Sequence, residues 1–278
     1  MKEYLDLVED VMTNGKPRQG PKPEGTIAVF GRQVRYNLAD GFPLITTRDL
    51  SKSWLKVIVP ELLWIISGST NANDLHKYGS NLWDKWAKAA EEKVGYQNGE
   101  LGPIYGHQLR NFGGQVDQLT QVIGMLQREP ETRRAIISLW NLSDVETPEG
   151  KHTVDVAPCI AMFHFAQMGG KLDLIMTQRS ADIPIGVPND VAEWALFQML
   201  IAKEVNLPPG EFIHNLDDAH IYVDQIPAMK ELLTREPKVR PDVTIANSLT
   251  GTIYDHVVED FQLLNYNPHP PIKIPVAL

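Results

Sequence analysis

Cysteine is almost missing from this chain: Cys159 stands alone among 278 residues. An intrachain disulfide is excluded, which fits a reducing, cytoplasmic setting. A lone cysteine is ordinarily a small buried hydrophobe, so a nucleophilic role must be argued from its neighbours. Long apolar runs are missing too. None reaches the roughly 20 residues that span a bilayer, and the acidic, amphipathic opening MKEYLDLVEDVM is unlike a secretion signal. Positive charge is scarce. A formal net charge of −9 argues against a general nucleic-acid binder, which needs a basic face. A few local arginines can still hold a small anion. With no Pro-, Ser- or Gly-rich linker and no internal repeat, one domain over residues 1–278 is expected.

What is present is an ordinary globular composition, 43% hydrophobic, with enough apolar material for a substantial core. Helical spacing of apolar residues marks 4–14, 115–128 and 224–234, and a short helix at 71–78. Residues 53–67 read as a helix that Pro60 bends or restarts, because proline brings no amide hydrogen. The segment 16–25 reads as a Pro/Gly loop, and 101–108, LGPIYGHQ, as a turn presenting Tyr105 and His107. Strands are expected at 27–36, with a bulge at Gly31, at 131–140, at 211–223 and at 243–246. A hairpin joins 157–167 to 171–178 around Met168-Gly169-Gly170. After a Gly-Pro turn, GVPND, the apolar stretch 191–205 reads as a long helix buried behind the sheet. Strands cluster apart from helices, which predicts an α+β fold.

The stretch 156–190 concentrates the chemistry-bearing residues: Cys159, then Arg179 after a strand, then Asp190. Elsewhere Glu61 sits inside PELLWII, where a carboxylate needs a partner or a role. Trp83 and Trp86 share one face and suit either a core or a wall for a flat ligand. Arg133 and Arg134 precede a strand and suit either a solvated pair or a planar grip on phosphate. Asp218, His220 and Tyr222 alternate along one strand, so His220 and Tyr222 share a face.

Taken together, ordered fragments over nearly the whole chain resemble the thymidylate synthase family. They are FG-Q-R-N-DGFPL-TT (30–47), ELLW (61–64), LWD-W (82–86), LGP-YG-Q (101–108), RR-I-S-WN (133–141), APC (157–159), QRS-D-P-G-P (178–188), D-H-Y (218–222) and PVA (275–277). The resemblance implies a thymidylate synthase-like fold, with a large mixed or antiparallel sheet packed by helices and one sheet face forming a homodimer interface. It implies transfer of a one-carbon unit from 5,10-methylene-tetrahydrofolate to C5 of a pyrimidine nucleoside monophosphate, with no metal. Cys159 then matches the nucleophile that adds to C6, its ionisation helped by Arg179 and the Arg133–Arg134 pair. Glu61 matches the general acid/base and Tyr105 the tyrosine assisting proton removal at C5. Arg133 and Arg134 match a pair reaching the phosphate from the other subunit. Gln178, Arg179 and Ser180 match the nucleotide's second clamp, and His220 with Tyr222 the sugar contacts. Trp83, Asp182 and Ala277 match the folate side, with Asp182 also bordering the nucleotide.

Departures from the family pattern are as informative as the matches. Asp190 stands where asparagine is usual, at the base-reading position, and the Asn189-Asp190 pair resembles the phage deoxycytidylate hydroxymethylases of the same family. A side-chain amide complements the N3–H and O4 of uracil; a carboxyl group accepts from the 4-amino group of cytosine. Setting a carboxylate against O4 in a closed site costs about 1–3 kcal/mol or more. The plain alternative is that Asp190 caps a helix beginning near Val191. Ile160 replaces a usual histidine, and Asn189 a usual aromatic on the folate side, which suggests a wetter pocket. The phosphate loop reads PKPEGT, so Lys22 or Arg18 is expected to replace a missing arginine. These features point to a dCMP hydroxymethylase. Methylation of dCMP, ordinary thymidylate synthesis from dUMP, and a catalytically silent nucleotide- or RNA-binding protein are the alternatives.

Overall fold

The computed structural model describes residues 1–20, 23–249 and 251–276. A six-stranded sheet, ordered β1-β2-β6-β5-β4-β3, organises the molecule. Its strands are β1 (Lys16–Arg18), β2 (Thr26–Asn37), β3 (Ile136–Ser138), β4 (Ile160–Met168), β5 (Lys171–Asp182) and β6 (Pro209–Tyr222). Only β5 and β6 run parallel, joined by a crossover helix; the other neighbours are antiparallel. A separate pair, β7 (Asp242–Ile245) and β8 (Phe261–Leu264), lies apart. The helices are α1 (Lys2–Asn14), α2 (Ser51–Ser53), α3 (Val59–Ile66), α4 (Ala72–Leu75), α5 (Asp84–Lys93), α6 (Tyr105–Arg110), α7 (Gln118–Arg128), α8 (Gly186–Glu204) and α9 (Ile226–Leu233). This is the α+β arrangement of helices on a large mixed sheet.

Strand alternation gives the sheet two unlike faces. One cross-strand row, Phe163, Met176, His214 and Val34, is buried. Helix α8 packs on this side, with Phe163 4.6 Å from the Trp194 ring and 5.5 Å from Phe197. The neighbouring row, Ile136, His164, Ile175, Ile213 and Arg35, belongs to the other face. There Ile136 stays 43% exposed, and His164 and Ile175 are half-buried.

Several local expectations are corrected. Residues 16–18 are an edge strand rather than loop. Gly31 takes φ +75°, yet the β2–β6 register is the same on both sides of it, so no residue is inserted. Residues 105–110 form helix α6, which puts Tyr105 in a buried first turn. Ahead of Pro60 the chain widens into a π-helical turn over Trp54–Ile58, with Pro60 in the first turn of α3. A wider turn of this kind accommodates the proline without ending the helix. The largest correction concerns GVPND. Helix α8 starts at Gly186, not near Val191, with Pro188 tolerated in its first turn. Asp190 therefore lies inside the helix, and the capping alternative is removed.

Candidate active site

The Ala157-Pro158-Cys159 segment enters β4 and is gripped from β5. Arg179 donates from Nε to Pro158 O at 2.8 Å and from Nη2 to Ala157 O at 2.9 Å. Its backbone N–H donates to Cys159 O at 2.9 Å, and its guanidinium lies over the Trp140 ring at 4.6 Å. The backbone N–H of Cys159 donates to the Tyr105 hydroxyl at 2.7 Å. One arginine and one tyrosine thus set where the sulfur sits. Burial and the charge of Asp190 push the Cys159 thiol up; Arg179 and a hydrogen bond from Tyr105 oppose them without prevailing. Arg133 and Arg134 are exposed in the single chain, and the groups that shift this thiol most are Asp190, Arg179, Tyr105 and Asp182.

Near the sulfur is a cluster of carboxyl groups. Glu61, in the first turn of α3, accepts from Trp83 Nε1 at 2.7 Å. Trp83 is wedged among Trp64, Trp86 and Tyr105, with ring centroids 5.4–6.2 Å away. Burial pushes Glu61 up to about 8, with the Asp190 charge adding and the Trp83 bond opposing. Asp190 is pushed up to about 6, again chiefly by burial. Its Oδ2 accepts from Gln178 Nε2 at 2.7 Å, and Gln178 Oε1 lies 2.7 Å from His214 Nε2. Three residues further along α8, on the same face as Asp190, Glu193 is 3% exposed. Its Oε1 has no partner among the described residues. Burial, then the charges of Glu61 and Asp190, hold its carboxyl well above the ordinary range.

A second cluster adjoins the first, its Asp182 acting on both Asp190 and Cys159. The His220 and Tyr222 rings meet edge-to-face at 5.4 Å, as the strand period requires. His220 Nδ1 lies 3.1 Å from Asp218 Oδ1, and Asp218 also pairs with Arg18. Asp182 accepts from Ile185 N at 3.3 Å and interacts with His220 and Arg48; burial nonetheless pushes its carboxyl up. Ser180 is half-buried and pairs with Asp218 across β5 and β6. The trio Gln178, Arg179 and Ser180 is split by strand alternation: Gln178 turns to Asp190, while Arg179 grips the cysteine segment. Arg133 and Arg134 project at the front of β3. Lys22 and Ala277 lie outside the described residues.

A nucleophile, an adjacent acid of raised pKa, a tyrosine on the nucleophile and a flanking His-Tyr pair are suited to covalent chemistry on a flat, hydroxyl-bearing ligand. Compared with known families, residues 2–278 match the thymidylate synthase model. The chain belongs to the thymidylate synthase family. Membership implies folate-dependent one-carbon transfer to C5 of a pyrimidine nucleotide, so methylene-tetrahydrofolate is a co-substrate. Among the described residues no group of three or more His, Cys, Asp or Glu is arranged to hold a metal ion, and no helix is long and apolar enough to cross a membrane.

Trp83, Asp182 and Asn189 are the described residues expected on the folate side. Trp83 is held by Glu61, and Asn189 Nδ2 donates to Ile185 O at 2.8 Å. Asn189 Oδ1 is buried with no partner among the described residues, a polar atom suited to a donor on a ligand. The C-terminal tail reaches this cluster, for Gln225, whose side chain also hydrogen-bonds Asp182, donates from Nε2 to Pro275 O at 2.9 Å. Three contributors went unnoticed in the sequence: Glu193, His214 and Arg48, which donates to Pro184 O at 2.6 Å. The signal for Glu193 is a charge within an otherwise apolar helix. For His214 it is alternation with Phe212 and Leu216, which turns the imidazole inward.

Proposed function

We propose that this enzyme transfers a one-carbon unit to C5 of deoxycytidylate and releases 5-hydroxymethyl-dCMP. The observation that carries the reading is Asp190. It is an acid whose charge reaches the Cys159 sulfur, with Oδ2 engaged by Gln178. No hydrogen bond to Oδ1 is formed among the described residues, so that oxygen can accept from a 4-amino group. A uracil O4 at the same place would set acceptor against acceptor.

The chemistry follows from the roles assigned to each residue. The Cys159 thiolate adds to C6, which makes C5 nucleophilic, and C5 bonds to the methylene carbon of the folate. Both carbon–nitrogen bonds that hold this carbon to the folate break, one as C5 bonds to it and one as the C5 proton leaves, each with its electrons going to nitrogen. The C5 proton leaves with help from Tyr105 and Glu61, whose value near 8 suits proton traffic around neutral pH. Water then adds its oxygen to the exocyclic methylene, and the thiolate leaves C6. Tetrahydrofolate is regenerated and no hydride is used. The polar Asn189 in place of an aromatic supports water over hydride at this last step. Arg133 and Arg134, exposed beside the open Ile136 face, support a homodimer in which each subunit lends arginines to the other's phosphate site.

Product analysis tests the reading. Incubation with dCMP and methylene-tetrahydrofolate is expected to add the mass of CH2O and to produce no dihydrofolate. Addition of CH2 with stoichiometric dihydrofolate would assign methylation instead.

A further inference from the structure

Asp190 can discriminate only if something holds its orientation and charge, and two hydrogen bonds lead away from it to a histidine. Gln178 Nε2 donates to Asp190 Oδ2 at 2.7 Å, and the same amide's Oε1 lies 2.7 Å from His214 Nε2. Gln178 is 1% exposed and His214 fully buried, so water does not compete for these bonds. His214 sits on β6 in the row that faces α8, the helix carrying Asp190.

Two orientations of the Gln178 amide satisfy both contacts. In the first, His214 Nε2–H donates to Gln178 Oε1, and the Gln178 amide NH2 donates to Asp190 Oδ2, which carries no proton. In the second, every bond is reversed. The amide is flipped and donates to a bare His214 Nε2, while a protonated Asp190 donates to the amide oxygen. The far end of the chain separates them. A neutral imidazole has one proton, and the second arrangement forces it onto Nδ1. That atom is buried with no partner among the described residues. A buried N–H without an acceptor is the rarer and costlier orphan, so the first arrangement prevails. Burial also keeps the ring neutral, its pKa pushed down to about 3. Around Asp190 itself, burial and the Asp182 charge favour protonation, and the Gln178 bond opposes them.

We propose that His214 is a specificity-determining positioning residue: through Gln178 it holds Asp190 as an acceptor toward the pyrimidine edge, so that a ring with a 4-amino group is taken and one with a 4-carbonyl refused. The proposal rests on the cytosine reading of Asp190. It makes discrimination a property of three residues on β5, β6 and α8.

The test measures kcat/KM by tritium release from C5-labelled dCMP and dUMP for the wild type, His214→Phe and His214→Gln, with thermal melts of each. His214→Phe leaves the Gln178 amide free to flip and is expected to lose about tenfold of the preference for dCMP. His214→Gln, whose amide can donate to Gln178, is expected to recover most of it. In the wild type, nitrogen NMR of His214 is expected to show a proton on Nε2 and no titration between about pH 5 and 8. A wild-type preference for dCMP that His214→Phe keeps within about twofold removes His214 from discrimination but leaves Asp190 in it. A wild-type preference for dUMP removes the cytosine reading, and the lock with it. Should His214→Phe not fold, the imidazole decides alone: a proton on Nδ1, or titration in that range, overturns the proposal.

Discussion

The two ends of the candidate site are made of opposite materials. At the proposed pyrimidine end, Glu61, Asp190 and Glu193 crowd together with Gln178 and His214, all drawn from α3, α8 and the central strands of one chain. At the proposed phosphate end, Arg133 and Arg134 stand exposed, and Arg18 of β1 is held by Asp218. Buried acids with raised pKa values can hold or pass protons, and they are positioned by packing that a single subunit completes. Exposed arginines do little until an anion and a second surface reach them. On the proposed reading, base recognition is intrinsic to the subunit, and phosphate binding depends on a homodimer.

The sharpest way to break that contrast is at the nucleophile. Cys159→Ser is expected to lower C5 tritium exchange by at least about a thousandfold. Binding of dCMP, followed calorimetrically, should stay nearly unchanged. Substantial exchange in this variant removes the covalent route.

Next comes the cost of burying the acids. The folded-state pKa of Glu61 is about 8, above its ordinary 4.5. Between those values the folded protein keeps a proton that the unfolded chain has released, so stability falls as pH rises through the window. Glu61→Gln cannot lose that proton. It is expected to be more stable than the wild type by about 4 kcal/mol at pH 8, with the difference vanishing below about pH 4.5. Urea melts across that range check the sign. A wild type that gains stability relative to Glu61→Gln as pH rises shows the acid is not held protonated.

The phosphate end is expected to give the smallest effect in any one subunit. Arg133→Ala with Arg134→Ala should raise KM for dCMP by about thirtyfold, through lost charge-assisted bonds. Mixing that double variant with Cys159→Ser should restore activity, because one site of the mixed dimer keeps its own cysteine and its neighbour's arginines. No recovery on mixing places both arginines in their own subunit's site.

The same contrast explains how much is legible in the residues in order. Strands with alternating burial, the Gly169-Gly170 hairpin and the ordered motifs around Cys159, Arg179 and Asp218 are local patterns, and they suffice for the α+β architecture. Proline in GVPND reads as a turn because its helix-opening use depends on the residues after it, and α8 begins five residues earlier than expected. The edge strands β1 and β8 are too short to show a period. Glu193 and His214 escape notice because their meaning comes from partners distant in the chain. Glu193 feels the charge of Glu61 of α3, and His214 reaches Asp190 only through Gln178.

The central claim is that Asp190 selects a ring bearing an amine. It is tested most directly by the ratio of kcat/KM for dCMP to that for dUMP, measured on the unaltered enzyme by tritium release with methylene-tetrahydrofolate at neutral pH. A ratio of about a hundred or more in favour of dCMP is expected from the mismatch of a carboxylate with O4. A ratio at or below one contradicts the account.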